Sequence, residues 1–174
     1  ENAIYRAGQL LGLIEEHHEH SVKCHCHALV GEASLTVTRI NGGHADNVLP
    51  GACDLLLDRR MVPGEDENEV KAEIDQLLAL ANERFGVRAE VLEYKATTGG
   101  ATETAESEPI VQASLAACRE HNSGNAGPFG FQGGCDLVHF RSLGTTGTVI
   151  GPGTLRSPTS RMSSCQSMNS SPQA

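Results

Sequence analysis

The sequence predicts an α+β fold, and the first observation behind it is the order of helical and extended segments. Two segments carry apolar residues at intervals of three and four, as amphipathic helices do, and three others alternate apolar and polar residues, as half-buried strands do. These patterns therefore predict the order α-β-β-α-β for residues 1–100. The chain has 174 residues, of which 39% are hydrophobic, and this is enough for a core in one domain or two small ones.

The first helix is predicted over residues 2–18, and a β-hairpin follows it. The helix carries its apolar stripe at Ile4, Ala7, Leu10, Leu11 and Ile14. Strands are predicted at residues 34–40 and 53–60, because both are rich in β-branched or aliphatic side chains. An Asn-Gly-Gly turn follows the first of them, so we expect the two strands to pair as antiparallel neighbours.

A second helix is predicted between the break at Pro63 and Gly64 and a stop at Gly86. It begins with acidic residues, which suit a helix N-terminus, and its apolar face comprises Val70, Ile74, Leu77, Leu78, Ala81 and Phe85. A third strand is predicted over residues 87–96, where apolar residues alternate with charged ones.

This order is one strand short of the βαββαβ arrangement of a ferredoxin-like layer, in which two helices cover one face of an antiparallel sheet. Small polar residues at 97–107 predict a domain boundary near residue 100. Beyond it we expect a helix over residues 109–121, a glycine-rich loop, a short helix and a strand over residues 146–150. Residues 1–100 and 101–155 are thus the two predicted units.

Residues 156–174 differ in composition from everything before them. They are rich in serine and contain no Asp, Glu, Phe, Ile or Val, so they cannot form a core. Two hypotheses follow for this serine-rich tail. It is either a disordered segment or a stretch translated in a shifted reading frame, since the composition changes abruptly at Arg156.

The charge and composition argue against several classes of protein. The chain has 13 Lys and Arg residues against 22 Asp and Glu residues, and only 3% of its residues are aromatic, so we expect no nucleic-acid partner. No apolar run approaches the roughly 20 residues of a membrane-spanning helix, and we expect no membrane association. The first residues lack the pattern of a signal peptide, so the expected compartment is the cytoplasm.

Histidine and cysteine are dense at residues 17–20 and 24–27, and both are natural zinc ligands. Cys24 and Cys26 are nevertheless separated by a single residue, whereas zinc knuckles place two to four residues between their cysteines. We therefore expect no bound metal, with a zinc-binding domain built on residues 17–27 as a weaker alternative.

The segment from residue 40 to residue 66 carries the most informative polar residues. Asn47 offers an amide that both donates and accepts, and Arg59 and Arg60 end the second predicted strand. An arginine at a strand end can bind a substrate carboxylate with two parallel hydrogen bonds. The alternative is a surface ion pair between Asp58 and one of the arginines. A second candidate segment, residues 133–153, has glycines that let main chain approach a ligand closely.

Three segments in order resemble the family of two-metal amidohydrolases and peptidases that includes acetylornithine deacetylase, succinyl-diaminopimelate desuccinylase and carboxypeptidase G. NAIYRAGQLL at residues 2–11 is similar to the opening helix of that family's lid or dimerisation domain. NGGHADNVLPGACDLLLDRRMVPGED at residues 41–66 resembles its most recognisable stretch, and GGCDLVHFRSLGTTGTVIGPG at residues 133–153 resembles a segment of its catalytic domain. The resemblance covers residues 1–155.

The resemblance implies a fold and a set of substrate contacts. The lid is inserted into a catalytic domain, pairs with its twin in a homodimer and holds the carboxylate of a small N-acyl amino acid or peptide substrate. By position, Asn47 and Arg60 match those contacts, with Arg59 as a neighbour, and the Gly151, Pro152 and Gly153 loop matches one near the metals. Two zinc or cobalt ions bridge the attacking water in that family, and a glutamate takes its proton.

The departures imply a fragment without catalytic residues. In that family the His-x-Asp segment, the bridging aspartate and the Glu-Glu pair precede the lid, so the resemblance places them upstream of Glu1. The serine-rich tail stands where the last metal-binding histidine is expected. We therefore expect a fragment of an amide hydrolase that binds no metal and is inactive by itself. The alternative is a dimerisation or interaction module that acts without catalysis.

Overall fold

The computed structural model describes residues 1–95, 100–121 and 127–151. Helix α1 and a 3-10 turn are followed by two small hairpins, and three further helices come after them. The bounds are α1 (Ala3–His20), the 3-10 turn (Val22–Cys24), β1 (Cys26–His27), β2 (Gly31–Glu32), β3 (Ser34–Gly42), β4 (Cys53–Arg60), α2 (Glu67–Phe85), α3 (Pro109–His121) and α4 (Leu137–Ser142). Helices combined with small antiparallel sheets confirm the predicted α+β class.

Helix α1 begins as predicted and ends slightly later, at His20. Asn2 caps it, because its side-chain Oδ1 accepts a hydrogen bond from the Ile4 N–H at 2.9 Å. The apolar stripe turns one face of the helix into the core, and its buried residues are Ala7, Leu10, Leu13 and Ile14. The helical spacing therefore identified the buried face, although Leu13, which the predicted stripe did not include, is the most buried leucine of the helix, and Leu11 is only partly buried.

Strands β3 and β4 form the predicted antiparallel hairpin. Ser34 lies opposite Arg60 at one end, and Gly42 lies opposite Cys53 at the other. The loop of residues 43–52 joins the strands at the Gly42 end. The hairpin is therefore a two-stranded ribbon whose two ends lie far apart.

A β-bulge interrupts β3. The register shifts between Val37 and Arg39, which leaves Thr38 as the extra residue. Beyond the bulge Ile40 lies opposite Leu55, so Val37 and Ile40 share one face of the hairpin although strict alternation would separate them. The bulge thus extends the apolar face along the whole strand.

Helix α2 has the boundaries that the sequence predicts. The Asp66 carboxylate accepts hydrogen bonds from the N–H groups of Asn68 and Glu69 at 2.8 and 3.2 Å, which caps the N-terminus. Gly86 ends the helix with φ = 66°, in the left-handed region that glycine adopts most easily. The Gly86 N–H returns to the last turn of the helix and donates to the Asn82 carbonyl at 2.8 Å.

One hydrophobic core lies between α1, α2 and a single face of the β3 and β4 hairpin. Helix α1 contacts both α2 and the hairpin, so it is the central element. Eleven buried residues form the core: Leu10, Leu13, Ile14, Val22, Ala33, Leu35, Val62, Ile74, Leu77, Ala81 and Val87. Each fully buried aliphatic side chain contributes about 1.5–3 kcal/mol of transfer free energy, so this cluster is the main stabilising feature. The opposite face of the hairpin carries no such cluster in the described part of the chain.

The predicted third strand is wrong for residues 87–95, which form neither strand nor helix, and residue 96 lies outside the described ranges. A strand requires a neighbour that receives its N–H and C=O groups. In a βαββαβ layer the last strand pairs with the first, and no strand precedes α1 among the residues described here. Val87 and Val91 still pack on the core.

The predicted strand at residues 146–150 is also wrong, because these residues form no ladder with any described segment. The predicted helix at residues 109–121 is confirmed as α3, and the short helix before the strand region is α4. Among the described residues, no helix is both long and apolar enough to cross a bilayer. The serine-rich tail lies outside the described ranges, as do residues 96–99 just before the predicted domain boundary.

Candidate functional site

Arg59 and Arg60 are adjacent in β4 and therefore face opposite sides of the hairpin. Arg59 shares its face with Leu55 and Leu57, which pack against the core. Arg60 lies on the other face, away from the core that α1 and α2 cover. Because of this alternation, the two guanidinium groups have different environments and differ in whether a ligand can reach them.

The guanidinium of Arg59 is held inside the protein by Glu65. Arg59 Nη2 lies 2.5 Å from Glu65 Oε1, Nη1 lies 3.4 Å from Oε2, and the two side chains are only 10% and 6% exposed. Nη1 also donates to the Arg60 main-chain carbonyl at 2.8 Å. Arg59 Nε has no hydrogen-bond partner within the described residues. Because both Nη groups are occupied and buried, Arg59 stabilises the end of β4 and is not placed to bind a substrate.

The pair continues into a network that joins several elements. Glu73 on α2 lies 3.7 Å from Arg59 Nη2, and its other oxygen lies 2.5 Å from His17 Nε2 on α1. Glu65 also accepts a hydrogen bond from the Val62 N–H at 2.7 Å. Residues from α1, β4, the following turn and α2 therefore meet through polar contacts at one edge of the core.

Arg60 is available to a ligand. Its side chain is 60% exposed, and its Nε donates to Asp58 Oδ2 at 3.1 Å, a pair that is itself open to solvent. Its Nη1 donates to the main-chain carbonyl of Gln132 at 3.0 Å. An exposed pair of this kind contributes little to stability, about 0–1 kcal/mol. The guanidinium therefore keeps donors that can turn towards a carboxylate.

Asn47 lies in the exposed loop between β3 and β4, where a shallow open concavity is lined by Asn2, Ile4 and the loop residues 42–50. Arg60 lies at the opposite end of β4 from this loop. The seven residue steps from Cys53 to Arg60 correspond to about 24 Å at the rise of an antiparallel strand. One protomer therefore does not bring Asn47 and Arg60 together.

The remaining predicted site residues belong to the second segment. Gly151 is exposed and lies in no regular element, and Pro152 and Gly153 lie outside the described residues. The residues that the structure describes contain no group of three or more His, Cys, Asp or Glu side chains arranged to hold a metal ion. The expected absence of a metal and the alternative of a zinc-binding domain at residues 17–27 both stay predictions.

Sequence reasoning missed the partners that decide the roles of the two arginines. Glu65, Glu73 and His17 bind Arg59 or one another, and Gln132 binds Arg60 from far along the chain. A local signal did exist for Arg59, because it has the same strand parity as two core-facing leucines. No local signal identifies Gln132, since its contact spans 72 residues.

Comparison with known families finds a match for the first part of the chain. Residues 1–85 match the family model described as the peptidase dimerisation domain, M20_dimer. No curated protein matches the chain. The matched residues contain α1, both hairpins and α2, which carry Asn47, Arg59 and Arg60. By this match, residues 1–85 are similar to the dimerisation domain of M20 peptidases.

Proposed function

We propose that this chain supplies the dimerisation or lid domain, with a segment of the catalytic domain, of a metal-dependent hydrolase that cleaves the amide bond of N-acyl amino acids or peptides. The match of residues 1–85 to a peptidase dimerisation domain supports the hydrolase family broadly. The observation that carries the finer proposal is the contrast within β4, where Arg59 is buried in an ion pair and Arg60 is exposed. Arg59 stabilises the lid domain, and Arg60 remains available to bind a substrate.

The proposed substrate class follows from the chemistry of Arg60. A guanidinium binds a carboxylate through two parallel charge-assisted hydrogen bonds, which are about twice as strong as neutral ones. N-acyl amino acids and peptides carry a free carboxylate next to the amide that a deacetylase, desuccinylase or carboxypeptidase cleaves. Arg60 would hold that carboxylate. Residues other than Arg60 would recognise the acyl group and the amino-acid side chain of the substrate.

The separation of Asn47 and Arg60 favours a site shared between two protomers. Both residues can contact one small substrate only if a second copy brings its Arg60 towards the Asn47 loop. That loop is bordered by exposed apolar side chains, and Leu49 is 70% exposed. A surface of this kind, formed by Ile40, Val48 and Leu49, suits contact with another protein. We propose a homodimer that covers it.

Zinc or cobalt is the proposed metal of the complete enzymes in this family. The described residues do not fit it, since they offer no set of metal ligands. No hydrolytic step is therefore assigned to the residues of this chain, and we propose that the purified chain does not hydrolyse substrate. Zinc-dependent release of acetate from an N-acetyl amino acid by the purified chain would overturn that part of the proposal.

Titration calorimetry with N-acetyl-L-alanine tests the carboxylate site. The wild-type chain and Arg39→Ala should bind with equal affinity, whereas Arg60→Ala should bind at least about tenfold more weakly, as the loss of a charge-assisted hydrogen bond predicts. Arg39 is a matched control because it is exposed on the same face of the hairpin, opposite Leu56. N-acetyl-L-alanine amide, which lacks the carboxylate, should bind weakly to every variant. Equal affinities for Arg60→Ala and Arg39→Ala would contradict the site.

A second candidate is a dimerisation module that acts without substrate. It is favoured by the core, because all its buried residues except Val87 lie within the matched residues 1–85. Light scattering after size exclusion distinguishes the candidates together with the titration. A stable dimer that does not bind N-acetyl-L-alanine would support the dimerisation module. A dimer that binds it through Arg60 would support the lid domain of a hydrolase.

A further inference from the structure

We propose that Gln132 acts as a latch that occupies Arg60 and is displaced when a substrate carboxylate binds. We use the name Gln132 latch for Gln132 together with its two contacts, at Arg60 and at Val30. The proposal rests on the carboxylate site at Arg60 described above. In addition, the Gln132 main-chain carbonyl competes with the substrate carboxylate for Arg60.

Two hydrogen bonds define the Gln132 latch. The main-chain carbonyl of Gln132 accepts from Arg60 Nη1 at 3.0 Å, and its side-chain Nε2 donates to the Val30 carbonyl at 2.6 Å. These contacts span 72 and 102 residues of sequence. Gln132, which belongs to the second predicted unit of residues 101–155, thus bridges the end of β4 and the turn between β1 and β2.

The segment that carries Gln132 lies tightly against that turn. A Cβ atom added at Gly130 would clash with the main-chain carbonyl of Leu29, so this approach requires glycine. Gly31 adopts φ = 79°, and a Cβ there would meet the Gln132 side chain at 3.9 Å. Close main-chain packing thus occurs at Gly130, two residues before Gln132, and the Gln132 side chain lies in ordinary contact distance of Gly31.

The Arg60 contact is the exchangeable half of the latch. A neutral carbonyl offers Arg60 one hydrogen bond, whereas a carboxylate offers two charge-assisted ones on the same guanidinium. Arg60 is also exposed, so the exchange needs no buried group to be uncovered. A carboxylate should therefore replace the Gln132 carbonyl, and the latch should lower the apparent affinity by the fraction of molecules in which it is closed.

Gln132→Ala isolates the latch, because it removes the side-chain anchor at Val30 and leaves Arg60 intact. We expect N-acetyl-L-alanine to bind about fivefold more tightly to this variant, the factor expected when one hydrogen bond of about 1 kcal/mol no longer holds the closed state. Amide hydrogen exchange in residues 27–32 and 127–133 should also accelerate. Gln112→Ala is the matched control, since the Gln112 side chain likewise donates to a main-chain carbonyl but only locally, to Glu106 at 2.8 Å.

A second measurement uses the wild-type chain. Saturating N-acetyl-L-alanine should accelerate exchange in residues 27–32 and 127–133, and the uncharged amide analogue should not. Arg60→Ala should show the fast exchange without any ligand, whereas Arg39→Ala should exchange as the wild type does.

The outcomes separate the latch from the site on which it depends. If Arg60→Ala loses the ligand but Gln132→Ala matches Gln112→Ala in affinity and exchange, the carboxylate site stands and the latch is wrong. If Arg60→Ala binds the ligand as the wild type does, the carboxylate site is wrong and no competition exists. Tighter binding by Gln132→Ala together with ligand-accelerated exchange in the wild type would support the latch.

Discussion

Arg59 and Glu65 form a buried ion pair that fastens the end of β4 to the turn before α2. Arg59 Nη2 lies 2.5 Å from Glu65 Oε1, and neither side chain is more than 10% exposed. The Glu65 carboxylate also accepts a hydrogen bond from the Val62 N–H, so it binds the Arg59 side chain and the main chain at Val62 at the same time. The pair fixes the strand end from which Arg60 projects on the opposite face.

Removal of Arg59 should destabilise the protein far more than removal of Arg60. Arg59→Ala leaves the carboxylates of Glu65 and Glu73 without their buried partner, and such a loss costs about 3–5 kcal/mol. Arg60→Ala removes an exposed pair and should change the free energy of unfolding by about 0.5 kcal/mol or less. Urea denaturation of the two variants measures the difference, and equal losses of stability would contradict the assigned environments.

Gly86→Ala should destabilise the protein because of its backbone conformation. Its φ of 66° lies in the left-handed region, where a Cβ costs about 1 kcal/mol. Gly12→Ala should have the opposite sign, since Gly12 is exposed in the interior of α1 and nothing lies within 4 Å of its added Cβ. Thermal denaturation of both variants tests the prediction, which fails if Gly86→Ala is as stable as the wild type.

Gly42→Ala should destabilise the contact between α1 and the hairpin. The added Cβ would lie 2.9 Å from Cys53 Sγ and 3.1 Å from Ile4 Cγ1, and such overpacking costs about 1–3 kcal/mol. The loss should shrink when Cys53→Ala is combined with Gly42→Ala, because the shorter side chain removes the nearer atom. Gly51→Ala is the control, since its Cβ meets nothing within 4 Å. A double-mutant cycle in urea measures the coupling, and strictly additive effects would argue against this packing.

The pKa of Glu19 should depend on Lys23. The hydrogen bond from Lys23 Nζ to the Glu19 carboxylate lowers the pKa of Glu19 below its ordinary value, and the charge of Lys23 adds to the effect. Folding therefore favours the ionised carboxylate, so the resulting stability is present above the ordinary pKa and is lost as the pH falls through the lowered one. An NMR titration of Lys23→Met should show the Glu19 pKa shifted upwards, whereas an unchanged value would contradict the contact.

The sequence predicts best those elements whose signals are local. The caps and apolar stripes of α1 and α2 lie within the helices themselves, and the hairpin follows from alternation and a glycine turn. Residues 87–95 show the limit, because their alternation is a strand pattern that needs a neighbouring strand to be realised.

The candidate site was predictable only in part. Residue type and the family resemblance point to Asn47 and Arg60, whose role in binding stays a prediction, and strand parity could have separated Arg59 from Arg60. The partners Glu73 and Gln132 could not be found in this way, because each meets its arginine through tertiary packing rather than through sequence spacing.

Mixed dimers show whether one carboxylate site uses Asn47 of one protomer and Arg60 of the other. Asn47→Ala and Arg60→Ala chains, co-expressed with different tags and purified as the mixed dimer, should bind N-acetyl-L-alanine at one site per dimer with wild-type affinity. Each variant alone should bind at least about tenfold more weakly at both sites. A mixed dimer that binds no better than its two parents, or an Arg60→Ala chain with wild-type affinity, would rule out a site shared between the protomers.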